Sequence, residues 1–248
     1  MNSLKIEILN NIVAERIKPF FEEILTEYKE NIHSLHIVGS SLTEDFDEKT
    51  SDINSVIVLK EMEFKFVELV APLGKKYIKK RVAAPLIMTP EYIKRSLDVF
   101  PIEFLNFKLI HETVYGDDIF KDIEINKDDL RIQCEREIKI RLIGLRQSYI
   151  SSMGDRQFLT DYIVGTISGY IPLFRGILYL LGRKPPVRRH DVIINLLDST
   201  GIKTGIFEEI LNIKKNKTKL SKEDIERIFE EYYKVTEELG NIIDELKI

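Results

Sequence analysis

Residues 36–59 read HIVGSSLTEDFDEKTSDINSVIVL, and this stretch decides the fold. An apolar run ends in Gly39-Ser40-Ser41, an acidic polar loop follows, and Asp52-Ile53-Asn54 opens a second apolar run containing Val56, Ile57 and Val58. β-Branched residues favour strands, so the pattern reads strand, loop, strand. Gly39 allows a backbone approach that a side chain would block, while Ser40 and Ser41 offer hydroxyls and backbone amides to an anionic group. Side chains alternate along a strand, so Asp52 and Asn54 point to the same face.

Upstream, Leu9, Ile12, Val13, Ile17, Phe20, Phe21, Ile24, Leu25 and Tyr28 recur at helical spacing. Pro19 interrupts them, which predicts either a kink or two consecutive helices. Downstream, residues 64–77 read as a helix and 83–88 as a short strand. Thr89-Pro90-Glu91 is a helix start, with threonine as cap and proline at the first helical position. Residues 100–110, FPIEFLNFKLI, have an aromatic-rich strand pattern with Glu103 between Ile102 and Phe104. If Glu103 faces Asp52 and Asn54, oxygen-bearing side chains converge in a way that suits a hard cation such as magnesium and the phosphates it accompanies.

After about residue 125 the character changes. Asp128 is placed to cap a long helix through Tyr149, the apolar run of residues 162–181 follows, and Gly182-Arg183-Lys184-Pro185-Pro186 is a break. A further helix covers 191–197, a basic connector KKNKTKLSK occupies 214–222, and Ser221 caps a last helix with Ile225, Ile228, Phe229, Tyr232, Val235 and Leu239 on one face. The expected fold class is therefore α+β. An α/β domain with a short mixed sheet spans 1–125, and an all-helical bundle spans 126–248.

The 248 residues carry a formal charge of −4, which argues against a broadly basic nucleic-acid binder. Cys134 is the only cysteine, so neither an intramolecular disulfide nor a cysteine zinc cluster can form. A reducing, cytoplasmic setting fits. Within 162–181 the interior Arg175 and Pro172 favour a buried bundle helix over a membrane span.

The Gly39-Ser40 turn, with eleven residues between it and Asp52-Ile53-Asn54, resembles the signature of the DNA polymerase beta nucleotidyltransferase fold. In that superfamily the Gly-Ser turn holds a triphosphate, two acidic residues one apart hold two metal ions, and a third carboxylate comes from a later strand. The resemblance implies phosphate binding by Gly39, Ser40 and Ser41, metal binding (Mg2+ or Mn2+) by Asp52, Asn54 and Glu103, and catalytic roles for Asp52 and Glu103. The helical half resembles the substrate-side bundle of small aminoglycoside-modifying nucleotidyltransferases. A nucleoside triphosphate and a hydroxyl-bearing acceptor are the implied partners, and the last helix suits a homodimer as well as its own core. Asn54 departs from the family pattern: it gives a neutral carbonyl oxygen where a carboxylate is expected, which weakens the hold on at least one ion. The chain is thus either a metal-dependent nucleotidyltransferase or a weak or inactive nucleotide-binding sensor or protein-interaction module.

Other features have simpler readings. The loop acids Glu44, Asp45, Asp47 and Glu48 lack the glycine and spacing of a calcium loop. Gly74-Lys75 lacks the upstream glycine of a P-loop. His36 reads as packing, and Lys79-Lys80-Arg81 as a solvated basic run.

Overall fold

The computed structural model describes residues Ser3 to Lys247. The chain divides into two compact units. One contains the described residues up to Asp98 together with Phe104–Ile125; the other contains Val99–Glu103 and the described residues from Asn126 onward.

In the first unit, helix α1 (Asn11–Tyr28) precedes strand β1 (Ile32–Val38), and β2 (Asn54–Leu59) follows the loop. Then come α2 (Phe64–Tyr77), β3 (Leu86–Met88), α3 (Pro90–Ser96), α4 (Pro101–Leu109) and β4 (His111–Gly116). The sheet has the order β3-β2-β1-β4. β1 is antiparallel to both β2 and β4, whereas β3 runs parallel to β2. One face carries Leu35, Ile37, Ile57, Leu59 and Val114 into a core with Val13, Ile17, Phe20, Phe21 and Ile24 of α1. Helix α1 runs through Pro19 without ending. Ile17, Phe20 and Phe21 are fully buried on either side of it, and their burial offsets the lost backbone bond. Thr89 caps α3 as its sequence predicts, accepting from the Tyr92 amide with Pro90 in the first turn.

The strand expected over 100–110 does not form; these residues make helix α4. Pro101 has the fixed φ of a first helical position. Phe104 and Leu105 are both buried, which ends the period-two alternation that Ile102-Glu103-Phe104 imitates. Glu103 therefore lies in the first turn of a helix. Its carboxylate accepts from Gln133 Nε2 at 2.8 Å, while Gln133 Oε1 accepts the Ile102 amide at 2.7 Å.

The second unit is helical: α5 (Lys127–Ser152), α6 (Arg156–Thr166), α7 (Tyr170–Leu180), α8 (Arg189–Thr200), α9 (Gly205–Asn216) and α10 (Lys222–Glu245). Asn126, not Asp128, caps α5. Ser221 and Asp224 form a reciprocal capping box on α10. Helix α9 takes in residues 214–216 of the expected connector, placing Lys214 and Lys215 in a last turn where the helix dipole favours cations. Tyr170, Phe174, Phe207 and Tyr232 pack ring against ring with centroids 4.6–5.6 Å apart, so the tyrosines at 170 and 232 serve the core. The stretch Arg156–Leu180 is long and apolar enough to cross a membrane, yet most of it is buried in the protein and a 3₁₀ turn at Ile167–Gly169 divides it. Arg175, 6% exposed, donates to the carbonyls of Pro186 and Val187 and so ties down the proline loop.

Candidate functional site

The antiparallel register pairs Val38 with Asn54 and Ile37 with Ser55. The chain leaves β1 at Gly39 where it enters β2, so the Gly39 turn and the Asp52–Asn54 segment meet at one end of the sheet. Gly39 has φ +79°, in the left-handed region that glycine enters without strain. A Cβ there would touch nothing within 4 Å. The turn needs glycine for its backbone angle, and the space in front of it is open. Residues Gly39–Leu42 form a 3₁₀ turn closed by Thr43, whose amide and hydroxyl both donate to the Ser40 carbonyl at 3.1 Å. Ser40 keeps partial exposure, but Ser41 is 3% exposed and its hydroxyl has no partner among the described residues.

Exposure alternates over the second half of the site: Asp52 and Asn54 are exposed and Ile53 is buried, as expected for two polar residues on one face. A parallel bridge from Ile53 to Val82 fixes this segment, with the Ile53 amide donating to the Arg81 carbonyl at 2.7 Å and the Ala83 amide to the Ile53 carbonyl at 3.0 Å. The bridge sets Arg81 beside Asp52. Arg81 Nη1 donates to Asp52 Oδ1 at 3.0 Å and to the Thr50 carbonyl at 3.1 Å. Asp52 Oδ2 and the Asn54 amide have no partner among the described residues.

The strands after β2 bring no further carboxylate to this face. β3 is Leu86-Ile87-Met88. On β4, Glu112 is in register with Ile37, and therefore with Ser55, on the opposite face. The residue in line with Val38 and Asn54 is His111. Its Nδ1 lies 2.7 Å from the Phe107 carbonyl and its Nε2 2.8 Å from Asp118 Oδ1. Burial raises the Asp118 pKa, but the His111 hydrogen bond and charge and the amides of Lys121 and Phe120 outweigh it, and the carboxyl ends below its ordinary value. His36, fully buried, bonds Thr113 Oγ1 at 2.9 Å and Ser34 Oγ at 2.8 Å. Burial, aided by the nearby His111, lowers its pKa to about 3. It is a neutral packing residue, as its sequence context suggests. Burial raises the Cys134 thiol pKa and so keeps it from acting as a nucleophile.

The structure thus brings together Gly39, Ser40, Asp52 and Asn54, turns Ser41 inward, and puts Glu103 in the second unit against Gln133. Glu103 was singled out for a strand context that does not exist. Arg81 closes a basic run whose sequence offers two readings, contact with a triphosphate and, the favoured one, a solvated face; His111, which carries no sequence assignment, heads a strand hidden behind the expected one. Asp52 Oδ2 and the Asn54 carbonyl suit one hard cation. A closely spaced pair does not fit, because among the described residues of β2, β3, β4 and the segment leading into β2 only Asp52 sets a carboxylate on this face, and Arg81 engages one of its oxygens.

No family model matches the chain, and no curated protein does. Among solved structures, spectinomycin adenyltransferase AAD(9) from Enterococcus faecialis, determined with ATP and spectinomycin, aligns over 91% of this chain and 98% of its own at 14% identity, with a TM-score of 0.57. The fold is nucleotidyltransferase-like. The α+β class expected from the sequence is the one observed.

Proposed function

We propose that the protein is a nucleotidyltransferase that moves a nucleoside monophosphate from a nucleoside triphosphate to a hydroxyl on a small-molecule acceptor. One observation carries this reading: the Val38–Asn54 register brings an open glycine turn and the Asp52–Asn54 pair to the same end of a nucleotidyltransferase-like sheet. The neighbouring fold comes from an enzyme named for adenyl transfer and solved with ATP and spectinomycin, which supports a triphosphate donor and a small acceptor.

In this reaction an acceptor hydroxyl oxygen bonds to the α-phosphorus as its proton passes to solvent, the bond from that phosphorus to the bridging oxygen breaks, and pyrophosphate leaves. The Gly39–Ser40 backbone cradles phosphate oxygens, while Asp52 and Asn54 would hold a divalent cation, which would screen phosphate charge. Phosphoryl-transfer chemistry rests mainly on positioning and charge, so the sheet need not supply a strong base. Ser41, with its unpaired hydroxyl, is a second phosphate contact only if that hydroxyl is brought outward.

The test is pyrophosphate release from ATP, GTP, CTP and UTP with magnesium or manganese and a panel of aminoglycoside and other hydroxylated acceptors. Asp52→Ala is expected to lower release by at least about a hundredfold, comparable to the loss of a preorganised charge-stabilising group, and Asn54→Asp to raise it. No release from the wild type or from Asn54→Asp, with any nucleotide, overturns the transferase reading. The neutral Asn54 and the Arg81–Asp52 pair favour a second reading, in which the site binds nucleotide without transfer. Triphosphate binding without turnover would select it.

A further inference from the structure

We propose that Arg81 provides the second positive charge of this site, so that the chain takes one divalent cation with its nucleotide and not two. The inference rests on the nucleotide-site reading above and specifies its metal content.

The placement of Arg81 is built into the backbone. Arg81 closes a 3₁₀ turn, and the Ile53–Val82 bridge joins the residue after it to the segment bearing Asp52 and Asn54. Arg81 itself has φ +59°, a left-handed conformation unusual for a residue with a side chain. One nitrogen, Nη1, serves both the Asp52 carboxylate and the Thr50 carbonyl. Nε and Nη2 have no partner among the described residues, and the side chain is 39% exposed. The guanidinium is therefore anchored at one corner and has its other donors available to a phosphate oxygen, for which its planar fork is suited.

Charge balance leads to the same assignment. A two-metal centre holds dications about 3.5–4 Å apart and relies on several carboxylates to offset their repulsion. Asp52 brings one negative charge, Asn54 none, β3 has no acid and Glu112 faces the other side of the sheet. One dication shared between Asp52, Asn54 and the nucleotide is compatible with that donor set. A second would lie beside a guanidinium, with no further carboxylate from β3 or β4 on this face to help hold it. Arginine, fixed in charge at any working pH, takes that place.

The experiment measures ATP affinity by calorimetry, with EDTA, Mg2+ or Mn2+, and counts bound Mn2+ in the ATP complex by electron paramagnetic resonance. The wild type is expected to hold one Mn2+ per bound ATP. Arg81→Met is expected to weaken ATP binding about tenfold to a hundredfold, the range for a hydrogen bond to a charged group, and Arg81→Lys to weaken it less. Circular dichroism and thermal unfolding verify that both variants fold; because the side chain is partly exposed, any unfolding in Arg81→Met leaves the Mn2+ count in the wild type as the deciding measurement. The double variant Arg81→Met with Asn54→Asp is expected to take two Mn2+. Two ions in the wild-type complex, or unchanged affinity in a folded Arg81→Met, would overturn the inference while leaving a nucleotide site. Absence of ATP binding under every metal condition would overturn both.

Discussion

Gly116→Ala is expected to destabilise the protein by about 2–5 kcal/mol, by summing left-handed strain and backbone overpacking. Gly116 ends β4 with φ +76°, and a Cβ there would lie 2.0 Å from the His33 carbonyl oxygen and 2.8 Å from Ser34 Cα. These are backbone atoms of the central strand, so no rotamer change relieves the overlap. Either β1 and β4 separate or Gly116 leaves its pairing with Ser34, where the ladder already shifts register between Leu35 and His36. Gly39→Ala is the control: its φ of +79° carries left-handed strain, but no atom lies within 4 Å, so its cost is about 1–2 kcal/mol. Urea unfolding of the two variants measures the difference. Equal midpoints would show that the close approach at Gly116 is not maintained.

Acid is expected to weaken the fold through His36, well before most carboxylates protonate. Its pKa in the folded protein is about 3 against 6.5 when unfolded. Between those values the unfolded chain binds a proton that the native chain refuses, so stability rises with pH across the window and falls as pH drops from about 6.5 toward 3. The slope approaches about 1.4 kcal/mol per pH unit once the unfolded histidine is fully charged. By pH 4.5 the accumulated loss is on the order of 2–3 kcal/mol. The cause is local: His36 packs against Phe120 with ring planes tilted by 60° and centroids 4.8 Å apart, and meets His111 edge-on at 6.1 Å. Urea unfolding at pH 7, 5.5 and 4.5 should show the wild type losing this much more than His36→Gln, a comparison in which the other carboxylates largely cancel. Parallel pH dependence in the two proteins would show that His36 is not buried neutral.

The sequence was most legible where local chemistry and tertiary burial agree. Residues 36–59 announce both strands because their apolar runs pack on α1, and Thr89-Pro90 and Ser221 mark helix starts that tertiary contacts do not oppose. The error over 100–110 has a physical origin: three residues, Ile102-Glu103-Phe104, are too few to separate a period of 2 from one of 3.6 when the deciding neighbour, Leu105, is apolar in either case. Asn126 displaced Asp128 as the cap of α5 because helix boundaries depend on a backbone turn that neighbouring polar residues satisfy equally well. At the site, Gly39, Ser40, Asp52 and Asn54 could be read from spacing alone, since a hairpin register brings loop ends together. Arg81 could not, because its place beside Asp52 depends on a parallel bridge across 29 residues. His111 reaches its row through a strand on the other edge of β1.

The composition break at residue 125 invites division of the gene there, but α4 argues against it. Its first turn, Pro101–Glu103, belongs to the second unit, while Phe104–Leu109 belongs to the first. The amide of Ile102 and the carboxylate of Glu103 are both satisfied by Gln133, a residue encoded beyond the break. A chain truncated after Ile125 would begin this helix with its terminal amide and its acid stripped of their amide partner. The two units interleave along the sequence, so a cut at residue 125 leaves the first turn of α4 on the wrong side of it.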